Sequence, residues 1–326
     1  MILAGDVGGT HTRLGLFSVA GSHVKLLNVG EYLSRQYPGL EQIILSHAAS
    51  QSAKIDVCSF GVAGPVVQGR VQLTNLPWEI DSHKATDALG YPVILINDLE
   101  ATAYGIAELG PDDLVPLQDG TEQEGNRAVI AAGTGLGEAG LFWDGVRHVP
   151  FACEGGHCDF APNDSLQEQL LQHFRRYGQH VSNERVLSGP GLVRIYSFLR
   201  VDSHEAEPAW LAEETAREDP AAAISRAALA GTSDLCARAL DIFVSCYGAE
   251  AGNLALKMLA LGGVYVGGGI APRILPKLKD GTFRKAFLNK GRMGDVLETI
   301  PIRVVTNERT ALLGAARCAA VAVKLL

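Results

Sequence analysis

The stretch from Ile2 to Val19, ILAGDVGGTHTRLGLFSV, places a glycine turn between two apolar segments. Residues 2–7 are typical of a strand, Gly8-Gly9-Thr10 is typical of a tight turn, and residues 12–19 alternate as a returning strand does. A second stretch at 128–143, AVIAAGTGLGEAGLFW, repeats this order of strand, Gly-Thr turn and strand. The repeat predicts an α/β protein with two halves that face one cleft.

The composition indicates a globular protein of two domains. The chain has 326 residues, of which 47% are hydrophobic and 20% are charged, and domains average roughly 150 residues. The net charge of -8, without a cluster of Lys or Arg, argues against nucleic-acid binding. The longest uncharged span, 258–272, is too short for a membrane helix, and no signal peptide is evident. We therefore expect a cytoplasmic protein with no membrane partner.

The order of segments predicts where the two domains divide. We predict a small domain over 1–110 and a large domain over 111–306, because 111–126 is polar, acidic and rich in Gly and Pro. The Ala-rich segment 307–326 is predicted as a helix that completes the small domain, and the acidic residues 202–220 are expected to be exposed. Apolar patterning predicts further strands and helices at 25–32, 38–49, 55–62, 92–96, 99–109, 166–174, 192–199, 261–269 and 302–306.

The first candidate for phosphate contacts is the segment Gly5-Asp6-Val7-Gly8-Gly9-Thr10. Its glycines let successive backbone N–H groups approach an anion closely. Asp6 stands at a strand end, where its carboxylate can hold Mg²⁺ through water. Taken alone, the segment is equally compatible with an ordinary hairpin turn.

Two further glycine-rich segments suggest nucleotide contacts. Gly133-Thr134-Gly135 offers backbone N–H groups and a hydroxyl to a phosphate. The segment 262–273 ends an apolar strand in three glycines, of which Gly268 is the candidate contact for adenine or ribose, and Pro272 is expected to open the next helix. Turns and close helix–strand packing are the structural alternatives, but the three segments together predict a nucleotide site.

Asn97-Asp98 follow the predicted strand 92–96 and precede a predicted helix. Both residue types are favoured at helix N-caps, which is the structural explanation of the pair. A carboxylate at a strand end beside a phosphate site can also take the proton from an attacking hydroxyl. Asp98 is therefore the candidate general base.

The segment Glu154-Gly155-Gly156-His157 places a carboxylate and an imidazole on a glycine-rich loop. Such groups can hydrogen-bond neighbouring hydroxyls of a sugar ring and discriminate between epimers. Glu184 is a further candidate, for which a helix start capped by Ser182 is the structural alternative.

Several nucleotide-binding and catalytic motifs are absent from the sequence. It contains no G-x-x-x-x-G-K-[ST] loop, no protein-kinase H-R-D or D-F-G set and no G-x-S-x-G elbow. The segment 133–137 leads into a predicted strand rather than a helix, which does not favour nicotinamide binding. Cys153 and Cys158 flank Glu154 and His157, but their spacing matches no zinc pattern.

In combination, these motifs resemble those of the sugar-kinase branch of the actin-like ATPase superfamily. Residues 6–10 with Arg13 match its first phosphate motif, residues 133–135 match the second, and residues 261–273 match its adenosine motif. Over nearly the whole chain the sequence is similar to the bacterial glucokinase family of the hexokinase-related, non-zinc type. The further segments that carry this similarity are Ile96-Asn97-Asp98, EGGHCDFAP at 154–162 and HVSNERVLSGPGL at 180–192.

The resemblance implies a two-domain ribonuclease-H-like fold with an interdomain cleft and an enzyme that uses ATP and Mg²⁺ to phosphorylate the 6-hydroxyl of D-glucose. It implies Asp98 as the base and a homodimer as the assembly. The glucose contacts that it implies are Asn97, Asp98, Glu154, His157 and Glu184. The nucleotide contacts are Gly5, Asp6, Val7, Gly8, Gly9, Thr10, Gly133, Thr134, Gly135 and Gly268.

The sequence departs from the family at one site, and two alternative functions remain open. His11-Thr12 occupies positions where the family usually has Asn-Ala, which changes the surroundings of the turn but keeps its glycines. A kinase for another hexose, such as mannose, fructose or an N-acetylated sugar, is the alternative enzyme. A sugar-sensing protein without catalysis on the same fold is the alternative outside enzymes.

Overall fold

The computed structural model divides the chain into two compact units. The first unit contains Met1–Asp113, Val149–Ala152 and Asn307–Leu326, and the second contains Leu114–His148 and Cys153–Thr306. Each unit is built on a β-sheet with helices, so the α/β class predicted from the sequence is confirmed. The structure describes residues 1–49, 54–73, 76–178, 180–203 and 207–326.

The strands of the first unit are β1 (Ile2–Val7), β2 (His11–Ala20), β3 (His23–Leu33), β4 (Val57–Val62), β5 (Arg70–Gln72), β6 (Glu79–Asp81) and β7 (Val93–Asn97). Five of them form a sheet in the order β3-β2-β1-β4-β7, and β5 pairs with β6. The strands β1, β2 and β3 are antiparallel neighbours, whereas β1, β4 and β7 run parallel. All residues of β4 are buried, as is typical of a strand in a covered parallel sheet.

The carboxyl ends of the three parallel strands lie in register. Val7 pairs with Val62, and Val62 pairs with Asn97. The turn after β1 and the residues after β7 therefore emerge at the same edge of the sheet. Two strand spacings separate them, which amounts to roughly 10 Å.

The helices of the first unit are α1 (Leu40–Ala49), α2 (Ser82–Leu89), α3 (Asp98–Gly105) and α13 (Thr310–Ala322). The alanines of α13 pack against the apolar side chains of β1 in one buried cluster. Small residues also let α13 approach α3, because a Cβ at Gly314 would overlap the backbone carbonyl of Ala101. Helix α13 therefore packs against both β1 and α3 and stabilises the sheet edge at which β7 ends.

Gly314→Ala tests this close approach. Alanine normally favours a helix over glycine by up to about 1 kcal/mol, but here its methyl group must push α13 and α3 apart, which costs roughly 1–3 kcal/mol. We expect the midpoint of urea unfolding to fall.

The matched control is Ala322→Ser, which also adds one heavy atom to α13 but at an exposed position. This variant is expected to change stability by no more than about 0.5 kcal/mol. A Gly314→Ala protein as stable as the parent would contradict the packing described for α13.

The second sheet has six strands in the order β11-β10-β9-β12-β13-β8, which are β8 (Leu114–Gln118), β9 (Arg127–Ala132), β10 (Leu136–Trp143), β11 (His148–Cys153), β12 (Val264–Gly267) and β13 (Ile302–Val305). The strands β9, β12 and β13 are parallel, while β10 and β8 run antiparallel to β9 and β13. Gly267 pairs with Ala131. The segments that follow β9 and β12 therefore leave the sheet side by side.

The helices of the second unit are α4 (Ser165–Arg175), α5 (Asn183–Val186), α6 (Gly189–Ser203), α7 (Ala209–Arg217), α8 (Pro220–Ala230), α9 (Asp234–Met258), α10 (Leu275–Leu278), α11 (Thr282–Leu288) and α12 (Gly294–Glu298). The long helix α9 supplies much of the core, including the fully buried Tyr247. The Tyr247 hydroxyl lies 3.3 Å from the carbonyl oxygens of Ile130 and Gly267 and accepts a hydrogen bond from the Ala132 N–H at 3.2 Å. It ties the ends of β9 and β12 together. None of the described helices is long and apolar enough to span a bilayer.

One expectation about local structure is wrong. Pro272 does not open a helix, because it lies inside a turn closed by the hydrogen bond from the Ile274 N–H to the Ile270 carbonyl, and α10 begins at Leu275. The polar stretch 111–126, from which the division of the domains was predicted, also contains β8, whose pairing with β13 outweighs its composition. The described acidic residues of 202–220 are exposed or half-buried, in agreement with the expectation, although α7 within this stretch buries Leu211 completely. Residues 204–206 lie outside the described residues.

Candidate functional site

The turn between β1 and β2 is held from outside the hairpin by Ser34. The Ser34 hydroxyl donates to the Gly8 carbonyl at 2.8 Å and lies 3.0 Å from the Thr12 hydroxyl. The Ser34 N–H donates to the Thr10 carbonyl at 2.9 Å. These bonds occupy carbonyl groups of the turn, while Gly8 and Gly9 are half-buried and Thr10 is exposed.

The other residues of this glycine motif lie within the sheet. Gly5 lies within β1 and Val7 is its last residue, and both are paired with β2 and β4. Asp6 is half-buried and lies opposite Arg13 on β2. Burial raises the pKa of Asp6 above its ordinary value, and the positive charge of Arg13 opposes this shift. A cation bound at Asp6 would therefore stabilise the ionised carboxylate.

Asp6 stands without a set of further metal ligands. Among the residues that the structure describes, no group of three or more His, Cys, Asp or Glu is placed to hold a metal ion. A single carboxylate suits Mg²⁺, which keeps most of its water and is commonly held by one or two carboxylates together with substrate phosphates.

Asn97 caps the helix that carries Asp98. Its side-chain oxygen accepts hydrogen bonds from the N–H groups of Leu99 at 2.8 Å and Glu100 at 3.3 Å. Its side-chain nitrogen donates to the Gly64 carbonyl at 3.2 Å, which leaves one amide hydrogen for another partner. The structural explanation considered for Asn97 is thus correct, and it fixes the first turn of α3.

Asp98 is the first residue of α3 and is half-buried. Its Oδ1 accepts a hydrogen bond from the Leu99 N–H at 2.9 Å, and its carbonyl oxygen accepts from the Thr102 hydroxyl at 3.0 Å. A carboxylate at a helix N-terminus is favoured by the helix dipole. The end of β7 therefore presents an oriented carboxylate at the sheet edge where the Gly8–Thr10 turn also emerges.

In the second unit, the turn between β9 and β10 is linked to Glu184. The Gly133 N–H donates to the Gly135 carbonyl, and the Gly133 carbonyl accepts from the Gly189 N–H, both at 2.8 Å. Glu184 Oε2 accepts from the Leu136 N–H at 3.0 Å. Thr134 at the tip is exposed. Glu184 therefore holds this turn and keeps its other carboxylate oxygen for a further contact.

Ser182 occupies the N-cap position of α5, but its side chain makes no capping hydrogen bond. The structural alternative considered for Glu184, a helix start capped by this serine, is therefore not the arrangement found. The carboxylate of Glu184 instead points at the glycine turn of the neighbouring hairpin.

The loop that carries Glu154 and His157 is joined to the segment that precedes Glu184. Residues 155–157 form a single 3-10 turn in which the His157 N–H donates to the Glu154 carbonyl at 3.0 Å. The Asn183 N–H donates to the Cys158 carbonyl, and the Phe160 N–H donates to the Val181 carbonyl, both at 2.9 Å. The structure thus brings the segments of Glu154, His157 and Glu184 together, with Glu154 and His157 exposed.

The third glycine segment follows β12 beside the second turn. The Ile270 N–H donates to the Ala132 carbonyl at 3.3 Å. Gly268 and Gly133 therefore leave neighbouring parallel strands at one sheet edge, which is the location expected of two parts of a nucleotide site.

Two residues that support these turns were missed in the sequence. Ser34 and Tyr247 lie far along the chain from the turns that they hold, and neither stands in a recognisable motif. Their roles depend on which strands and helices become neighbours. A prediction that β3 pairs with β2 would have placed Ser34, which follows β3, beside the turn between β1 and β2.

Comparison with known proteins identifies the relatives of this chain. The model of the glucokinase family matches residues 3–322. A glucokinase of Nostoc sp. is 44% identical over 342 residues, which cover 98% of this chain and 99% of that protein. The crystal structure of glucokinase from an Antarctic psychrotroph has a TM-score of 0.84 at 31% identity and covers 98% of both chains.

A more distant structure extends the similarity in fold. A ROK family glucokinase from Streptomyces griseus, solved in complex with glucose and AMPPNP, has a TM-score of 0.65 at 22% identity, with 98% of both chains covered. The fold and these relatives define a sugar kinase of the actin-like ATPase class. The chain belongs to the glucokinase family and is a hexose kinase enzyme, which confirms the family predicted from its motifs.

Ser34→Ala tests how the first glycine turn is held. The change removes the hydrogen bond to the Gly8 carbonyl and one hydrogen-bond partner of the Thr12 hydroxyl. This should lower the free energy of unfolding by about 1–3 kcal/mol. We expect faster amide hydrogen exchange in residues 7–14, measured by mass spectrometry on peptides. Ser46→Ala is the control, since the Ser46 hydroxyl donates to the Gln42 carbonyl within α1 at an exposed position. Unchanged exchange in Ser34→Ala would contradict the role assigned to Ser34.

Proposed function

We propose that the protein is a glucokinase that transfers the γ-phosphoryl group of ATP to the 6-hydroxyl of D-glucose. The observation that carries this proposal is the alignment of Val7, Val62 and Asn97, which brings an oriented carboxylate and a glycine turn to one sheet edge. Phosphoryl transfer needs these two elements close together. Family membership over the whole chain supports the same reaction.

Asp98 acts as the general base in this proposal. Its carboxylate accepts the proton of the 6-hydroxyl as the oxygen of the sugar forms its bond to the γ-phosphorus and the bond to ADP breaks. The hydrogen bond from the Leu99 N–H orients the carboxylate before the sugar arrives. The cap formed by Asn97 supports the base by fixing the first turn of α3.

Backbone N–H groups bind the phosphates of ATP in this acidic protein. The N–H groups of Gly9 and Thr10 form one such cradle, while the Gly8 N–H already donates to the His11 carbonyl at 2.9 Å. The N–H groups of Thr134 and Gly135 form the other, since the Gly133 N–H donates to the Gly135 carbonyl, with Gly268 at the adenosine. Because the net charge is -8, fixed backbone dipoles contribute more to anion binding than side-chain cations do. The hydroxyls of the two exposed threonines supply further donors.

A magnesium site is proposed beside the phosphates of ATP, where the cation would neutralise part of their charge. Asp6 is the residue that would hold the hydrated cation. Its half-buried carboxylate favours a nearby positive charge, and Arg13 provides that charge only in part because Arg13 also pairs with Glu31.

The sugar is proposed to be held by Asn97, Glu154, His157 and Glu184. Carboxylates accept from hydroxyls of the ring, and each such bond is lost with an epimer whose hydroxyl points elsewhere. The free oxygen of Glu184 and the remaining amide hydrogen of Asn97 are the groups available after their structural bonds are counted. By family resemblance we further propose a homodimer in the cytoplasm.

Asp98→Asn removes the proposed base and keeps the shape of the side chain. We expect kcat to fall roughly 10²- to 10⁴-fold, because proton transfer to a positioned group contributes about this much. The affinities for glucose and ATP, measured by calorimetry, are expected to stay within about threefold of the parent.

Asp87→Asn is the control for that substitution, since Asp87 is an exposed residue of α2. Its kcat should equal that of the parent. A turnover of Asp98→Asn close to the parental rate would remove this residue from the role of base.

Glu154→Gln tests the sugar contacts. Replacing one carboxylate oxygen by an amide group weakens a charged hydrogen bond, so we expect KM for glucose to rise about tenfold or more. The preference for glucose over its epimers should fall, while KM for ATP stays unchanged. Glu168→Gln on the exposed face of α4 is the control. Equal KM values for glucose in Glu154→Gln and in this control would exclude Glu154 from the sugar site.

A further inference from the structure

A buried carboxyl group lies directly beneath the loop that carries Glu154 and His157. Glu138 is a residue of β10 and is only 1% exposed. Its Oε1 is buried and has no hydrogen-bond partner among the described residues. Buried polar atoms are nearly always paired, so an exception in a structure calls for an explanation.

The carboxyl group of Glu138 is in close contact with Gly155. A Cβ at position 155 would overlap Glu138 Oε2, so any larger residue there requires the carboxyl group of Glu138 or the loop to move. The Cys153 thiol donates to the backbone carbonyl of Glu138 at 3.4 Å, at the start of the same loop. The 3-10 turn 155–157 therefore rests on the Glu138 side chain.

The neighbouring carboxylate of Glu250 disfavours a negative charge on Glu138. Glu250 on α9 is buried and already takes the hydrogen bonds of Asn253 Nδ2 at 2.8 Å and Lys257 Nζ at 3.2 Å. Burial, and then the charge of Glu250, raise the pKa of Glu138 to about 7, while Lys257 opposes them. The titratable and charged groups that interact with Glu138 or with these neighbours are Tyr247, Glu250, Lys257, Lys290, Cys153, Glu154 and Cys158.

We propose that Glu138 is a positioning residue for glucose, whose uncharged carboxyl group supports Gly155 and so fixes Glu154 and His157 in the orientation that binds the sugar. This inference rests on the proposed function. Ionisation of Glu138 places an unpaired charge beneath the loop, and the turn 155–157 must then shift to let water reach it. Glu138 does not touch the sugar itself, since its side chain is covered.

The direction of the pH effect follows from the protonation state. Glu138 holds its proton below about pH 7 and loses it above, so glucose binding weakens as the pH rises through this range. A folded-state pKa above the ordinary 4.5 also means that the folded chain binds the proton more tightly than the unfolded chain. The stability of the parent relative to a Gln variant therefore falls between about pH 4.5 and 7.

Glu138→Gln is the direct test, because glutamine keeps the shape and cannot ionise. We expect KM for glucose in the parent to rise about fivefold between pH 6.5 and 8.5 relative to the variant, with kcat within about twofold in both. At pH 6.5 the two proteins should have equal KM values. Since His157 is present in both proteins, the ratio of their KM values isolates Glu138.

A double-mutant cycle tests the contact with Gly155. Gly155→Ala alone should raise KM for glucose strongly, because its methyl group displaces the loop from Glu138. In a Glu138→Ala background the same methyl group enters the space left by the carboxyl group, so its effect should be at least about fivefold smaller. Glu168→Gln serves as the control for a change in charge at the surface.

The outcomes separate this inference from the proposed function. A parent protein that phosphorylates glucose, with the pH-dependent KM ratio and the coupling to Gly155, supports the inference. A merely structural Glu138 would lower the amount of active enzyme and leave the KM ratio flat, which overturns the inference and leaves the proposed function intact. A parent protein that does not phosphorylate glucose overturns the proposed function, and this inference with it.

Discussion

The register of three buried parallel strands is the constraint on which the first unit depends. Because β1, β4 and β7 end level with one another, the turn after β1 and the carboxylate after β7 share one sheet edge. A shift of one residue in β7 would turn Asn97 and its neighbours to the opposite face of the sheet. The complete burial of β4 and the close packing of α13 on β1 and α3 oppose such a shift. The position of Asp98 is therefore a consequence of core packing.

The second unit uses the same principle with different supports. Its turns follow the parallel strands β9 and β12, whose ends are tied by the buried Tyr247 hydroxyl. Glu184 then connects the Gly133–Gly135 turn to the helix start at α5, and backbone pairing joins the Glu154–His157 loop to the same segment. Elements proposed for nucleotide and for sugar thus share one hydrogen-bonded network in this unit. A substitution in the nucleotide turn is therefore expected to alter sugar binding, and a substitution in the sugar loop is expected to alter nucleotide binding.

Sequence reasoning recovered the parts of the molecule that local chemistry determines. The strand 2–7, the strand 92–96 before Asn97 and the long Ala-rich helix at the end carry strong apolar patterns. The structure has the first with the same bounds and the other two within one to four residues. At Gly268 the backbone φ is 81°, which few other residues adopt. The glycine turns were readable because the residue types that mark them follow one another in the chain. Asn97 was recognised as a cap for the same local reason.

What the sequence could not reveal depends on contacts between distant segments. The strand β8 was hidden in a polar stretch, since it forms only by pairing with β13 nearly two hundred residues later. Ser34 and Glu138 carry no local motif, and each gains its role from the loop that folds against it. The proton affinity of Glu138 depends on burial and on Glu250, neither of which is visible from its neighbours in the chain.

The most direct measurement is a crystal structure of the protein with glucose and AMPPNP bound. The account requires the 6-hydroxyl of the sugar to lie about 2.6–3.2 Å from a carboxylate oxygen of Asp98, with phosphate oxygens against the N–H groups of Gly9 and Thr10. A sugar whose 6-hydroxyl bonds to other groups, with the phosphates away from that turn, would contradict the account.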